Sequence, residues 1–176
     1  RNGGAAARAD ISPTRSRKNS KAESGYFMNT YLSAPTANTT LGLVAGAWLS
    51  DGTAQYLGLQ YATAERWQIP VDRTDPYASS GAFDAASFGP SCPQGPGQIY
   101  NSSDTSEECL YINVWTPPNS RGDPAPVLLW IHGGGYMFGG AAPFNGSTLA
   151  AQQDVVVCTI NYRLGYLGFM AFPEDR

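Results

Sequence analysis

The chain has 176 residues, of which 11 are basic and 14 acidic, a formal net charge of −3, and a single histidine, His132. A hydrophobic fraction of 42% with 12% aromatics excludes wholesale disorder, and the length suits about one domain. The acidic balance argues against a nucleic-acid binder, and no window approaches ~18 uninterrupted apolar residues, so no transmembrane helix is expected.

The charge is unevenly spread. Arg1, Arg8, Arg15, Arg17, Lys18 and Lys21 stand against Asp10 alone, giving +5 over residues 1–21, and the remainder carries −8. With Ile11 as its only large apolar residue and no periodicity, residues 1–24 read as a disordered basic extension. A solvated tail or processing remnant is favoured there over an anion-binding arm. The stretch lacks the apolar h-region of a signal peptide, and the chain begins with Arg, so the true N-terminus is expected upstream. Residues 25–176 form the folded portion.

Within it, Leu41 to Trp48 and Thr53 to Ala62 read as the arms of an antiparallel hairpin, turned by Asp51-Gly52. Residues 70–108 are rich in Pro and Gly and read as loop. Leu110 to Thr116 alternates, is rich in β-formers, and is stopped by Pro117-Pro118. Val127 to Ile131 (VLLWI) and Val155 to Ile160 (VVVCTI) are continuous apolar runs, the pattern of central strands buried on both faces. Between them lies a helix over Ser147 to Gln153, with Asn145 or Ser147 as its cap. Strand, crossover and strand make a parallel unit. The expected class is α/β, with antiparallel strands leading into a mostly parallel central sheet.

Three cysteines are present. Cys92 and Cys109 bracket a polar segment with no core of its own, and a bridge closing it would contribute ~3 kcal/mol; two unpaired thiols are the alternative. Cys158 reads as a buried free thiol. No CxxC spacing occurs and the one histidine lies elsewhere, so no metal site is expected. Asn38-Thr39-Thr40, Asn101-Ser102-Ser103 and Asn145-Gly146-Ser147 are N-glycosylation sequons. Together with a bridge they favour an oxidising, extracellular location.

His132-Gly133-Gly134-Gly135 follows the first apolar run. Glycines at a strand end let the backbone bend sharply and approach a substrate without Cβ obstruction. Their N–H groups can then face a developing oxyanion. A plain structural turn is the rival reading. A phosphate cradle is a third, though no GxxxxGK[ST] or GxGxxG accompanies the run.

HGGG after a strand is the oxyanion-loop pattern of lipases and esterases. Ser106 to Pro117 (SEECLYINVWTP) resembles the SEDCLYLNVWTP signature of type-B carboxylesterases. Pro126 to Tyr136 (PVLLWIHGGGY) is similar to that family's PVLVWIHGGGF, and Val155 to Phe169 (VVVCTINYRLGYLGF) to its VVVVTINYRLGxLGF. Gly58 to Ala62 resembles its GIPYA element, and Cys92-Pro93-Gln94 its first cysteine. The resemblance runs from about Thr40 to Phe169. It implies the N-terminal part of an α/β-hydrolase, with Gly134 and Gly135 as oxyanion donors and His132 a shaping residue. It also implies Cys92–Cys109 as the first disulfide, Arg66 and Glu107 as a buried ion pair, and Asn161-Tyr162-Arg163 as organisers of the core. No cofactor is implied, and the expected partner is a small-molecule or lipid ester.

The chain departs from the family pattern in places. Glu108 stands where the family usually has Asp, Cys158 where it has Val, and the GIPYA element lacks its proline. Ile99-Tyr100 occupies the place of the tryptophan with which cholinesterases hold a quaternary ammonium, so choline esters are not the expected substrates. No GxSxG occurs. The serine, its acid and the catalytic histidine are therefore expected beyond this stretch, which alone is expected to be inactive. The rivals are a cholinesterase-like adhesion domain without a nucleophile, and an interaction module acting through the basic tail.

Overall fold

The computed structural model describes residues 33–95, 104–118 and 124–170. The whole basic extension, residues 1–24, lies outside them, as do Ile99-Tyr100 and Asn101.

Among the described residues, ten strands and two short helices follow in order. They are β1 (Thr36–Thr39), β2 (Gly42–Ala45), β3 (Ala47–Trp48), β4 (Ala54–Gln60), β5 (Ala62–Thr63), β6 (Val71–Asp72), β7 (Phe83–Asp84), β8 (Tyr111–Thr116), β9 (Val127–Ile131), α1 (Ser147–Gln153), β10 (Val156–Ile160) and α2 (Gly165–Phe169). A five-stranded sheet has the order β3-β4-β8-β10-β9. Its pairs are antiparallel as far as β8–β10, and β10–β9 is parallel, with Val156 opposite Val127 and Ile160 opposite Ile131. A smaller sheet, β1-β2-β7, packs beside it.

Alternation along the strands sorts the core into layers. Tyr56 and Leu59 of β4, Val114 of β8 and Cys158 of β10 meet Ala37 and Val44 from the smaller sheet and Ala85 just after β7. On the opposite face Leu57, Trp115 and Val157 pack under Ala150 of α1. Strand β10 is thus buried on both sides, as its apolar run implies.

Strand β9 is not. All five of its residues are between 39% and 67% exposed, because among the described residues β9 is an edge of the sheet and is only partly covered, the Phe144 ring lying 5.2 Å from that of Trp130. Its apolar run records what the strand is suited to face, and a run alone does not supply the neighbour.

The expected hairpin is also shorter. Gly46 splits its first arm, since a Cβ there would lie 2.1 Å from Gln55 O and 2.7 Å from the Tyr56 ring. Strand β2 pairs with β1 and β7, and only β3 crosses to β4. The turn itself follows the Asp-Gly signal: Gly52 has φ +84°, and Asp51 Oδ1 accepts the Thr53 N–H at 2.9 Å. That bond holds the Asp51 carboxyl below its ordinary range.

Strand β4 carries a register shift between Tyr56 and Leu59 opposite β8. Gly58, at φ +66°, has room only for hydrogen, since a Cβ would meet Ser87 O at 2.3 Å. Its N–H donates to the buried Asn113 Oδ1 at 2.9 Å, and Asn113 Nδ2 donates to Thr159 Oγ1 at 3.1 Å. Helix α1 starts from Gly146 with no side-chain cap. Asn145 contributes one step earlier, its Oδ1 accepting the Ser147 N–H at 2.9 Å.

Candidate active site

The glycine loop leaves the C-terminal end of β9, and Asn161-Tyr162-Arg163 leaves the C-terminal end of the adjacent β10. Carboxyl ends of parallel strands are where α/β sheets place their ligands. Gly134, Gly135 and Tyr136 follow one another at φ +119°, +60° and +63°. The turn is closed by Met137 N–H and Phe138 N–H, which donate to Gly134 O at 3.0 and 3.3 Å. Among the described residues neither the Gly134 nor the Gly135 N–H meets an acceptor. An open cleft of about 390 Å³ adjoins the loop, lined by Tyr136, Met137, Gly165, Tyr166, Phe169 and Met170.

His132 lies beneath the loop, only 4% exposed. Its Nδ1 is 2.8 Å from Gly133 O, and its ring stacks on Tyr162 with centroids 4.3 Å apart. It is packed into the scaffold.

Each residue of Asn161-Tyr162-Arg163 ties down a different segment. Asn161 Oδ1 accepts the Ala141 N–H at 2.8 Å, and its Nδ2 donates to Pro90 O at 3.0 Å. Tyr162 Oη donates to His132 O at 2.8 Å. Arg163 donates to Glu65 O and Gln68 O at 3.2 and 2.6 Å. Tyr61 Oη returns a bond to Asn161 O at 2.8 Å.

Cys92 and Cys109 are joined by a disulfide, with Cα atoms 5.0 Å apart, and both are buried with Leu110 and Leu164. Gln94, two residues beyond Cys92, clasps the far end of the glycine loop. Its Oε1 accepts the Gly139 N–H at 3.0 Å while its Nε2 donates to Gly139 O at 2.9 Å. In the sequence Gln94 stands out only as the end of Cys92-Pro93-Gln94, two residues from a bridged cysteine.

Arg66 and Glu107 do pair, through two Nε–carboxylate bonds of 3.0 Å and a further contact from Nη2 to Oε1. The side chains are 57% and 38% exposed, however, so the pair is not buried. It bridges two surface segments, and no described element lies over it. The hydrogen bonds from Arg66 hold the Glu107 carboxyl below its ordinary range. Cys158 is a free, buried thiol in β10, and burial pushes its pKa up to about 11. Asn38 and Asn145 are both exposed. Among the described residues no cluster of His, Cys, Asp and Glu could hold a metal ion, and no helix is long and apolar enough to cross a membrane.

A sheet running from antiparallel to parallel, with a glycine loop at the carboxyl end of β9, defines the α/β-hydrolase class. Solved structures agree. The chain superposes on Aspergillus niger EstA with a TM-score of 0.68 and 34% identity, covering 82% of this chain and 28% of that one. A PNB esterase gives a TM-score of 0.67 and 35% identity, covering 79% and 30%. The carboxylesterase family model matches residues 33–176, and the chain belongs to that family. Among its relatives, mouse carboxylesterase 1E is 36% identical over 165 residues, covering 82% of this chain and 29% of that protein. The phenmedipham hydrolase of Pseudarthrobacter oxydans is 39% identical over 155 residues, covering 82% and 31%. The chain thus spans less than a third of the relatives it matches.

Proposed function

We propose that the protein carrying this chain hydrolyses carboxylic esters through an acyl-serine intermediate, with the Gly134 and Gly135 N–H groups holding the tetrahedral oxyanion. One observation carries the reading: successive glycines at positive φ on the strand end, with N–H groups that no described acceptor takes up. A backbone donor aimed at an oxyanion is worth ~3–4 kcal/mol of barrier. It needs no reorganisation at the moment of reaction.

These 176 residues contain no GxSxG, so the nucleophile and its acid and base partners come from elsewhere in the protein. The stretch described here supplies the donors and the scaffold that fixes them. A small-molecule or lipid ester is the substrate class, and no cofactor takes part. The Cys92–Cys109 bridge and the exposed Asn38 and Asn145 support secretion and N-glycosylation. Residues 1–24 serve as an extension to the folded portion at 25–176.

Turnover of p-nitrophenyl butyrate by the complete protein tests the reading, together with stoichiometric inactivation by a serine-directed phosphonate. Failure to hydrolyse any p-nitrophenyl ester would overturn it. Serine-dependent turnover by the 176 residues alone would overturn the placing of the nucleophile.

A further inference from the structure

His132 is the one histidine of the chain, and the ester mechanism above leaves it without a proton-transfer role. Its geometry gives it another. Nδ1 stands 2.8 Å from the Gly133 carbonyl oxygen. A carbonyl has no proton to donate, so Nδ1 carries the hydrogen and the bond fixes the Nδ1–H tautomer. Nε2 is then a bare acceptor, and it is buried with no partner among the described residues.

The ring cannot easily leave this position. It stacks on Tyr162 at an interplanar angle of 15°, and the same tyrosine donates to the backbone oxygen of His132. On the other side Gly139, at φ +120°, makes room for it; a Cβ there would lie 2.4 Å from Nδ1.

The consequence passes through one peptide unit. The Gly133 C=O and the Gly134 N–H belong to the same planar group, and in a trans peptide they point in opposite directions. No described peptide bond is cis. Holding the carbonyl against His132 therefore turns the Gly134 N–H away from the ring. The same device recurs one residue on, where the Met137 and Phe138 N–H groups hold Gly134 O and so turn the Gly135 N–H away from the turn. A flip of the 133–134 peptide would put a carbonyl oxygen where the donor should be and repel an oxyanion.

We infer that His132 is a positioning residue. Its Nδ1–H tautomer clamps the Gly133–Gly134 peptide so that the Gly134 N–H is presented as an oxyanion donor, an inference that rests on the ester-hydrolase reading. Only proline would remove either backbone donor, and its fixed negative φ does not fit the +119° and +60° of these positions, but the clamp can be removed by substitution.

Two measurements test it. In the complete 15N-labelled protein, the ring nitrogens of His132 are assigned as the set of signals that His132→Phe removes. The expected spectrum shows a protonated Nδ1 and an unprotonated Nε2. An Nε2–H tautomer, or rapid averaging between the two, would overturn the clamp.

In the complete protein, His132→Ala is expected to lower kcat about 100-fold, as loss of one oxyanion donor does, with KM changed less than about threefold. His132→Asn, whose amide can donate where Nδ1 did, recovers about tenfold of that loss. His132→Phe, which keeps a stacking ring but donates nothing, does not. If His132→Ala keeps kcat within about twofold, loses only through KM, or if the Phe variant outperforms the Asn variant, the clamp is refuted and the residue only packs. A wild-type protein with the Nδ1–H tautomer but no ester turnover would instead refute the catalytic reading and leave the peptide geometry standing.

Discussion

Gly134 and Gly135 are adjacent, both at positive φ, and the structure predicts sharply different outcomes for alanine at each. At Gly135, φ is +60° and a Cβ would meet nothing within 4 Å. Alanine there costs only the left-handed conformation, about 1–2 kcal/mol. At Gly134, φ is +119°, outside the left-handed helical well near +57°, and a Cβ would lie 1.8 Å from Phe138 O and 2.8 Å from Phe138 C. Both atoms are backbone, so no side-chain rotation relieves the clash. The turn must open and release the bonds from Met137 and Phe138 to Gly134 O. Strain of about 1–3 kcal/mol with about 1 kcal/mol for each of those bonds gives roughly 3–5 kcal/mol. Urea unfolding of the two variants at equal m-value should separate their stabilities by about 1–4 kcal/mol, with Gly134→Ala the less stable. Activity should diverge too, with Gly134→Ala losing about 100-fold or more in kcat as its donor is misdirected. A Gly134→Ala variant no less stable than Gly135→Ala would show that the turn is not built as described.

Other parts of the site respond in their own ways. Asn161→Ala removes the acceptor of Ala141 N–H and the donor to Pro90 O, so chemical unfolding should show a loss of about 2–3 kcal/mol; no loss would mean that the two loops are held otherwise. Reduction of Cys92–Cys109, with a sequence separation of 17, should lower stability by about 3 kcal/mol, read as the difference in unfolding midpoint with and without dithiothreitol. Alkaline pH is a third probe. Burial raises Cys158 from an ordinary 9.0 to about 11 and Tyr56 from 10.0 to about 12. Their neutral forms are therefore favoured in the folded state. Stability should be full below pH 9 and fall as pH rises through the folded values. Cys158→Val should flatten the lower part of that fall, and an unchanged slope would remove Cys158 as its source.

What could be read in advance follows from which interactions are local. The β8 strand, the doubly buried run of β10 and the Asp51-Gly52 turn are written in neighbouring residues, and the structure has all three, though Asn113 to Thr116 are all buried where alternation by itself leaves one face open. The glycine loop was legible as a motif; its three successive positive φ values were not. Gly46 resembles any other small residue in an apolar run, and only the close approach of Gln55 O and the Tyr56 ring explains the break between β2 and β3. The clasp of Gln94 on Gly139 joins residues 45 apart in sequence, and no period connects them. The Arg66–Glu107 pair was legible as partners, but burial depends on what lies above, which pairing cannot report. Strand β9 fails for the same reason, with its composition known and its covering not.

The bare β9 bears on how this stretch can be handled. Val127 to Ile131 is a five-residue segment with no charge, rich in β-forming residues and set along an edge that no strand among the described residues pairs. Segments of that kind seed strand-to-strand aggregation between molecules. Pro124 and Pro126 stand directly before it and His132-Gly133 directly after, and the prolines act as gatekeepers on one flank only. The 176 residues produced by themselves should therefore be limited in solubility by this edge. A lysine in place of Leu128 or Leu129 is the single change best suited to keeping them dispersed.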